Sequence, residues 1–430
     1  MLTYDQAYQR HACYYLGLAT EAERHLSGPD QLAWLIRLDR AYDNLRAALE
    51  TYQTSQADGR NGLELVTAMQ IFWDVRGYWS EGRKQLARAL SHEGAFERTP
   101  LRAKALDAAG SLAHNQGDYS GARKLYEEAL AIWRELKERG GVGTDLNNLG
   151  NVAASQGDYV AAKRLYNESL VIFREQNDRI RIAGPLSNLG IIAMYEGDYA
   201  LAQMHQEESL EIHYSLQDGH RAADTLLNLG ITLRAQGRYT QAGERLLESL
   251  ALYRQLGDRH GVALARLSLG TVAQDQEDYA SACALYEESL PDMEALGDQG
   301  SQAALLANLG EMHQIQGRTD LAGELCRHAL ELYRDLGSKQ GIAELLGTCA
   351  SLAAGRSEFA RCAILWGAAT ALRREIHLLM SPHARATYDL EVARIRLELG
   401  AEAFASAWAQ GEGLPQEQAI EYALNADWMR

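Results

Sequence analysis

Apolar positions along the middle of the chain recur with a helical spacing. Leu146, Leu149 and Ala153 fall at i, i+3 and i+7, one face of a helix. Gly157 follows as a stop, because glycine takes the left-handed conformation of a helix end cheaply. Asp158 suits the N-cap of a second helix, whose own stripe is Ala162, Leu165, Tyr166, Ser169 and Ile172. Further stop-and-start signals close the units at Gly257-Asp258, Gly297-Asp298 and Gly337-Ser338.

The pair then repeats. Leu-Gly recurs at 149-150, 189-190, 229-230, 269-270 and 309-310, each followed by Gly-Asp-Tyr or a variant of it. A small residue recurs at Ala122, Ala162, Ala202, Ala242, Ala282, Ala322 and Cys362. The frame of 40 residues never slips, the signature of a repeat array. Glycine inside a helix costs about 1 kcal/mol against alanine, so the in-frame glycines 150, 190, 230, 270 and 310 predict close helix–helix approach. The aromatics Tyr126, Tyr166, Tyr286 and Trp366 are expected to fill gaps between neighbouring units.

Eight units are expected, starting at 61, 101, 141, 181, 221, 261, 301 and 341, with the pattern strongest over 101–350. Units that stack only on their neighbours form a solenoid with an extended concave face. Pro291, inside a second helix, is expected to kink or shorten it, and Pro185, near a helix start, to disturb less. Both ends leave the period. Residues 1–60 carry the stripe Leu32, Leu35, Leu38, Tyr42, Leu45 and Leu49 and read as a helical cap. Residues 381–430 read as a second cap, a helix from Ser381-Pro382 to Gly400 and two short helices near 401–410 and 415–425.

The 40-residue pattern resembles the tetratricopeptide repeat in its longer form. The resemblance implies an all-α, right-handed superhelical solenoid of helix pairs, here with helical N- and C-terminal caps. The ends add a second resemblance. "RHACYYLGLATEAE…GPDQLAWLIRLDRAYDNLRAAL" with "FWDVRGYWSEGRKQLARAL", and the stretch from "LWGAATALRREIHLLMSPHARATYDLEV" to "EQAIEYAL", are similar to the regions flanking the repeats in bacterial LuxR-type and other signal-transducing ATPase regulators. In that family the repeats are the sensor that holds or releases an ATPase. No GxxxxGK[ST] loop occurs in this chain, and no helix-turn-helix follows residue 425. The resemblance thus implies either the sensor region of an ATP-dependent transcriptional regulator, with an ATPase as partner in cis or in trans, or a free-standing adaptor.

Composition narrows the partners. A net charge of −16 disfavours broad contact with phosphate backbones, and no Lys/Arg run makes a basic patch, so no nucleic acid is expected. No stretch approaches the ~20 apolar residues of a membrane helix, and the N-terminus lacks the cationic and apolar regions of a secretory leader. Five scattered cysteines without a CxxC pair point to a reducing, cytoplasmic setting and to no cysteine-built metal site. No cofactor is expected and no catalytic motif is found. His205 and His213 lie on neighbouring turns of one helix but lack a convincing acidic companion. An enzyme would need a site assembled across distant repeats.

The polar position that does recur is Asn148, Asn188, Asn228 and Asn308, with Ser268 interrupting. An amide offers a donor and an acceptor together, which suits a peptide backbone. The series resembles the peptide-clamping asparagines of other tetratricopeptide proteins. Bonds between neighbouring helices are the other reading, and the two roles can coexist. Nearby turns add Asn151, Tyr195, Ile231 and Arg234 to the candidate concave groove. Beyond Arg234 and Lys104 these helices carry few cations, so a C-terminal acidic peptide is not expected, and a mixed apolar segment fits better. The function implied is a non-catalytic scaffold that holds a peptide or protein segment.

Overall fold

A computed structural model describes residues 4–54, 59–376, 378–380 and 382–425. Two helices open the chain, α1 Tyr4–Glu23 and α2 Gln31–Thr54. A broken pair follows, α3 Gly59–Ala68 and α4 Gln70–Val75, with α5 Trp79–Leu90. Seven regular hairpins come next: α6 Pro100–Asn115 with α7 Tyr119–Leu136, α8 Arg139–Ser155 with α9 Tyr159–Glu175, and α10 Arg179–Tyr195 with α11 Tyr199–Ser215. They continue as α12 Gly219–Ala235 with α13 Tyr239–Leu256, α14 Arg259–Asp275 with α15 Tyr279–Leu296, α16 Gln299–Ile315 with α17 Thr319–Leu336, and α18 Lys339–Gly355 with α19 Phe359–Glu375. The chain closes with α20 Pro382–Leu399, α21 Ala401–Glu412 and α22 Gln416–Leu424. Each helix from α1 to α20 packs on the next, α22 packs back on α17, α18 and α19, and no strand occurs among the described residues. The fold is an all-α solenoid of helix pairs.

Local chemistry builds each hairpin. Gly157 closes α8 at φ +80°, and Asp158 then caps α9, its Oδ1 accepting from the Ala161 N–H at 3.0 Å. Asp178, Asp218, Asp258 and Asp298 cap the first helices of later units in the same way. The in-helix glycines give close approach inside a unit and not between units. A Cβ on Gly110 would stand 2.7 Å from the Tyr126 ring, and one on Gly150 2.5 Å from the Tyr166 ring. Tyr286 lies over Gly270 and Trp366 over Gly347 in the same manner. The aromatics therefore fill the gap between the two helices of one repeat. Where the covering side chain is slimmer, the small residue brings backbone close: a Cβ on Gly190 would meet the Ala202 carbonyl at 3.0 Å. Buried serines complete the joint, Ser169, Ser209 and Ser249 donating across the hairpin to the carbonyls of Gly143, Ala183 and Ala223 at 2.6, 3.0 and 2.8 Å.

Pro291 does not shorten its helix. α15 runs through it to Leu296 with no shortening, and Pro185 likewise sits within α10. The first unit also differs, since its leading helix is interrupted at Met69. Trp73 and Trp79 are buried there, and a Cβ on Gly82 would stand 2.9 Å from the Trp73 ring.

The array coils far enough to touch itself. Arg76 donates to the carbonyl oxygen of Leu256 at 2.5 Å, and Gln31 accepts from the backbone N–H of His220 at 3.2 Å. Trp79 meets His260 edge to face at 4.7 Å. Leu296 lies against Gly77 and Leu336 against Gly117, while Tyr159 donates to Gln340. Most of these pairs are about 180 residues apart, so successive turns of the coil are sealed along a seam and the concave face becomes an interior.

Candidate functional site

The first helix of each pair faces the interior. Two cavities open there. The larger, of about 780 Å3, is walled by α12, α14, α16 and α18, by the ends of α10 and α19, and by the connector 378–380. The smaller, of about 370 Å3, lies between α4, α10 and α12 with residues from α2, α6 and α8.

The residues singled out in the sequence divide between them. Tyr195, Ile231, Arg234 and Asn308 line the larger cavity, with Ser268 among them. Asn151, Asn188 and Asn228 line the smaller, and Asn148 lines neither. The asparagine series is therefore not one continuous ladder along one groove.

Several of these side chains already have partners. Asn188 donates to Asn147 Oδ1 at 3.0 Å and to Asn151 Oδ1 at 2.8 Å, and Asn228 donates to Ser187 Oγ at 3.3 Å. Asn151 also accepts from the Tyr166 hydroxyl at 2.9 Å. The bonds of Asn188 and Asn228 tie neighbouring first helices together. The helix-to-helix role is thus present at Asn188 and Asn228. Arg234 is held by Asp275, at 2.7 Å from Nε and 3.3 Å from a terminal nitrogen, a fork that stiffens the wall and neutralises both charges. Tyr195 stacks on Tyr159 at 4.9 Å, and its hydroxyl accepts from Gln340 Nε2 at 3.4 Å.

Charge differs between the two interiors. Around the smaller cavity Asp74 is pushed up to about 6 by burial, and His213 is pushed down to about 4, also by burial, which keeps it neutral. Burial opposes the charge of His220 too, but Asp224 and Asp258 outweigh it and lift its pKa to about 10. His220 Nε2 lies 3.0 Å from Asp258 Oδ2, and His260 Nε2 repeats the contact with Asp298 at 2.9 Å. These His–Asp rungs sit on the seam. The sequence signal was available: His220 and His260 are 40 apart, each 38 residues before an N-cap aspartate.

The larger cavity is wider and mixed, with Ile231, Leu267, Met194, Tyr239 and Tyr333 beside Glu311, Glu344 and Arg373. Gln340, Glu344 and Arg373 were missed in the sequence because they belong to the last unit, where the Asn series has ended. Among the described residues no group of three or more His, Cys, Asp or Glu could hold a metal, and no helix is long and apolar enough to cross a membrane.

The fold and its lined interior define a helical repeat solenoid. Tetratricopeptide repeat family models match residues 101–175, 181–255, 221–295 and 302–336. The chain belongs to the tetratricopeptide repeat family. No curated protein sequence matches it. Among solved structures, it is similar to a Rap protein complexed with Competence and Sporulation Factor, at 12% identity and a TM-score of 0.60, over 86% of this chain and 99% of that one. It is similar to the Rap conjugation gene regulator of the plasmid pLS20 in complex with the Phr* peptide, at 14% identity and a TM-score of 0.53, over 78% and 98%. The apo form of the quorum sensor NprR from B. thuringiensis aligns at 15% identity with a TM-score of 0.50, over 85% and 98%. At such identities the likeness is one of fold.

Proposed function

We propose that the chain is a non-catalytic scaffold that takes a peptide or short protein segment into its larger interior cavity. The observation that carries this is the cavity itself, whose wall is assembled from the inner helices of consecutive repeats. Its volume falls within the range of about 300–1,000 Å3 that suits small ligands. It has room for a short segment and none for a folded partner. Tyr195, Ile231 and Asn308 supply mixed apolar and hydrogen-bonding surface, and Arg234, already paired, stiffens the wall. Asn188, Asn228 and Asn151 hold the scaffold through their bonds to neighbouring helices. Two of the similar solved structures are described as complexes with Competence and Sporulation Factor and with the Phr* peptide, which supports this kind of ligand.

In the finer reading, this is the sensor region of a bacterial ATP-dependent transcriptional regulator, supported by the resemblance of both ends to the regions that flank such sensors. It works by coupling occupancy of the interior to a partner ATPase.

Leu267→Glu and Ile231→Glu place a carboxylate in the cavity, and Leu247→Glu places one on an exposed outer position. After matched melting curves are confirmed, each is tested for retention of short peptides from an extract of the source organism. The cavity variants are expected to lose the ligand and Leu247→Glu to keep it. Equal retention by all three would sink the interior site. Co-purification of a P-loop ATPase with the unaltered chain separates the sensor reading from a free-standing adaptor.

A further inference from the structure

The larger cavity holds one cation that the fold leaves without an anion. Arg373 stands in the last turn of α19, two residues before the helix ends, and lines the cavity. Its Nε is buried and has no hydrogen-bond partner. The adjacent Arg374 is satisfied outside, 2.9 Å from Glu412, and Arg234 inside is satisfied by Asp275. Glu344, which lines the same cavity, accepts from Gln340 Nε2 at 3.0 Å and makes no ion pair with Arg373. A buried guanidinium N–H without an acceptor is destabilising, and a ligand that supplies the acceptor relieves that cost. Nothing in helix packing requires an arginine there, since the same register in earlier second helices falls at the buried residues Trp133, Phe173, His213, Tyr253, Met293 and Tyr333.

We infer that Arg373 is the anchor for a carboxylate carried by the ligand of the larger cavity. The planar guanidinium fork matches a carboxylate in two parallel hydrogen bonds. A donor of a second kind lines the same cavity: the Tyr195 hydroxyl accepts from Gln340, which leaves its own proton to give. Seen from the sequence, the scarcity of cations on the first helices argued against an acidic ligand; the cation is supplied instead by the second helix of the last repeat. This inference rests on the reading of the cavity as a peptide site and names the chemistry that site selects. The carboxylate is either the free C-terminus or an acidic side chain.

The probes are three short-peptide libraries of otherwise random composition: free C-terminus without Asp or Glu, amidated C-terminus with Asp and Glu, and amidated C-terminus without them. Retention by the unaltered chain is read by mass spectrometry. The expected result is retention of at least one carboxylate-bearing library about tenfold to a hundredfold above the library that has none. Which of the two is retained tells terminal from side-chain carboxylate. Arg373→Met is expected to erase the preference and Arg373→Lys to restore part of it, with melting curves checked for each. Equal retention of all three libraries by the unaltered chain overturns the carboxylate anchor and leaves the peptide site standing. Retention of none overturns both. Since the library comparison uses the unaltered chain, it decides even if a variant fails to fold.

Discussion

At the scale of single residues, the least expected feature is a pair of carboxyl groups facing each other without a cation. Asp145 of α8 is fully buried, and neither of its oxygens has a hydrogen-bonding partner other than the neighbouring acid, Asp107 of α6. Asp107 receives only the Trp133 indole, at 3.4 Å. Burial and the adjacent Asp107 push the Asp145 carboxyl far above the usual carboxylate range, and burial raises Asp107 as well. The pair therefore keeps a proton that the unfolded chain, with an aspartate near 4, has already released. Folding takes up that proton, so stability falls as pH rises above about pH 4. Asp145→Asn supplies an N–H to Asp107 with no proton to lose. It is expected to melt several degrees higher at neutral pH, by a margin that widens from about pH 5 to about pH 9. A margin independent of pH would show that Asp145 is not held protonated. The sequence hid this pair because the same register holds Pro185, Thr225, Ala265 and Leu305 in later units, and the exception reads as noise until packing buries it.

At the scale of elements, the helix pairs were legible because one rule acts on every copy: an apolar stripe, a glycine in the left-handed region, an aspartate cap. The helices outside the regular repeats follow from the same local signals, and α20 ends at Gly400 with α21 and α22 beyond it. The Gly–aromatic joint was legible as a close approach but assigned between units, because periodicity gives spacing and not which neighbour is met. Glu277 shows the rule through its breach. It holds φ +65° where Gly157, Gly197, Gly237 and Gly317 stand in other units at φ +74° to +81°. A side chain in that conformation is strained by roughly 1–2 kcal/mol, and the greater freedom of glycine in the unfolded chain returns part of the gain. Glu277→Gly is expected to stabilise the chain by about 0.5–1 kcal/mol in denaturant unfolding. An unchanged or lower midpoint would mean that the Glu277 side chain makes contacts worth as much as the strain. The candidate site was legible in part: Tyr195, Ile231, Arg234 and Asn308 do share a cavity, whereas the Asn ladder divides because superhelical curvature, absent from any one repeat, decides which inner residues meet.

At the scale of the whole molecule, the decisive feature is the seam that turns a concave face into an interior. Its polar part is concentrated near α4. Arg76 reaches the carbonyl oxygen of Leu256 while its other arm pairs with Asp39 at 2.7 Å, so one guanidinium ties the opening helices to the end of α13. Beside it, the His220–Asp258 and His260–Asp298 rungs face Asp74 and Trp79. For His220 burial works against the charge, and Asp224, Asp258 and Asp74 lift the pKa to about 10; His260 is raised by Asp298, Asp258 and Asp74 against the same opposition. A histidine whose pKa is raised on folding contributes stability that is complete below its unfolded value of about 6.5 and is lost as pH rises through the folded one. The seam is therefore intact at neutral pH, and its polar part weakens on approach to about pH 10. The apolar contacts of Leu296 and Leu336 do not titrate, so the repeats themselves should stay helical while the coil loosens. Small-angle scattering across that range is expected to show a growing radius of gyration at constant helical circular dichroism. Arg76→Ala should move the expansion to lower pH, because it removes the bond to the Leu256 carbonyl that helps hold the seam beside the rungs. If the radius stays constant until helicity itself collapses, the His–Asp rungs do not govern closure, and the enclosed cavity is held by the apolar seam alone.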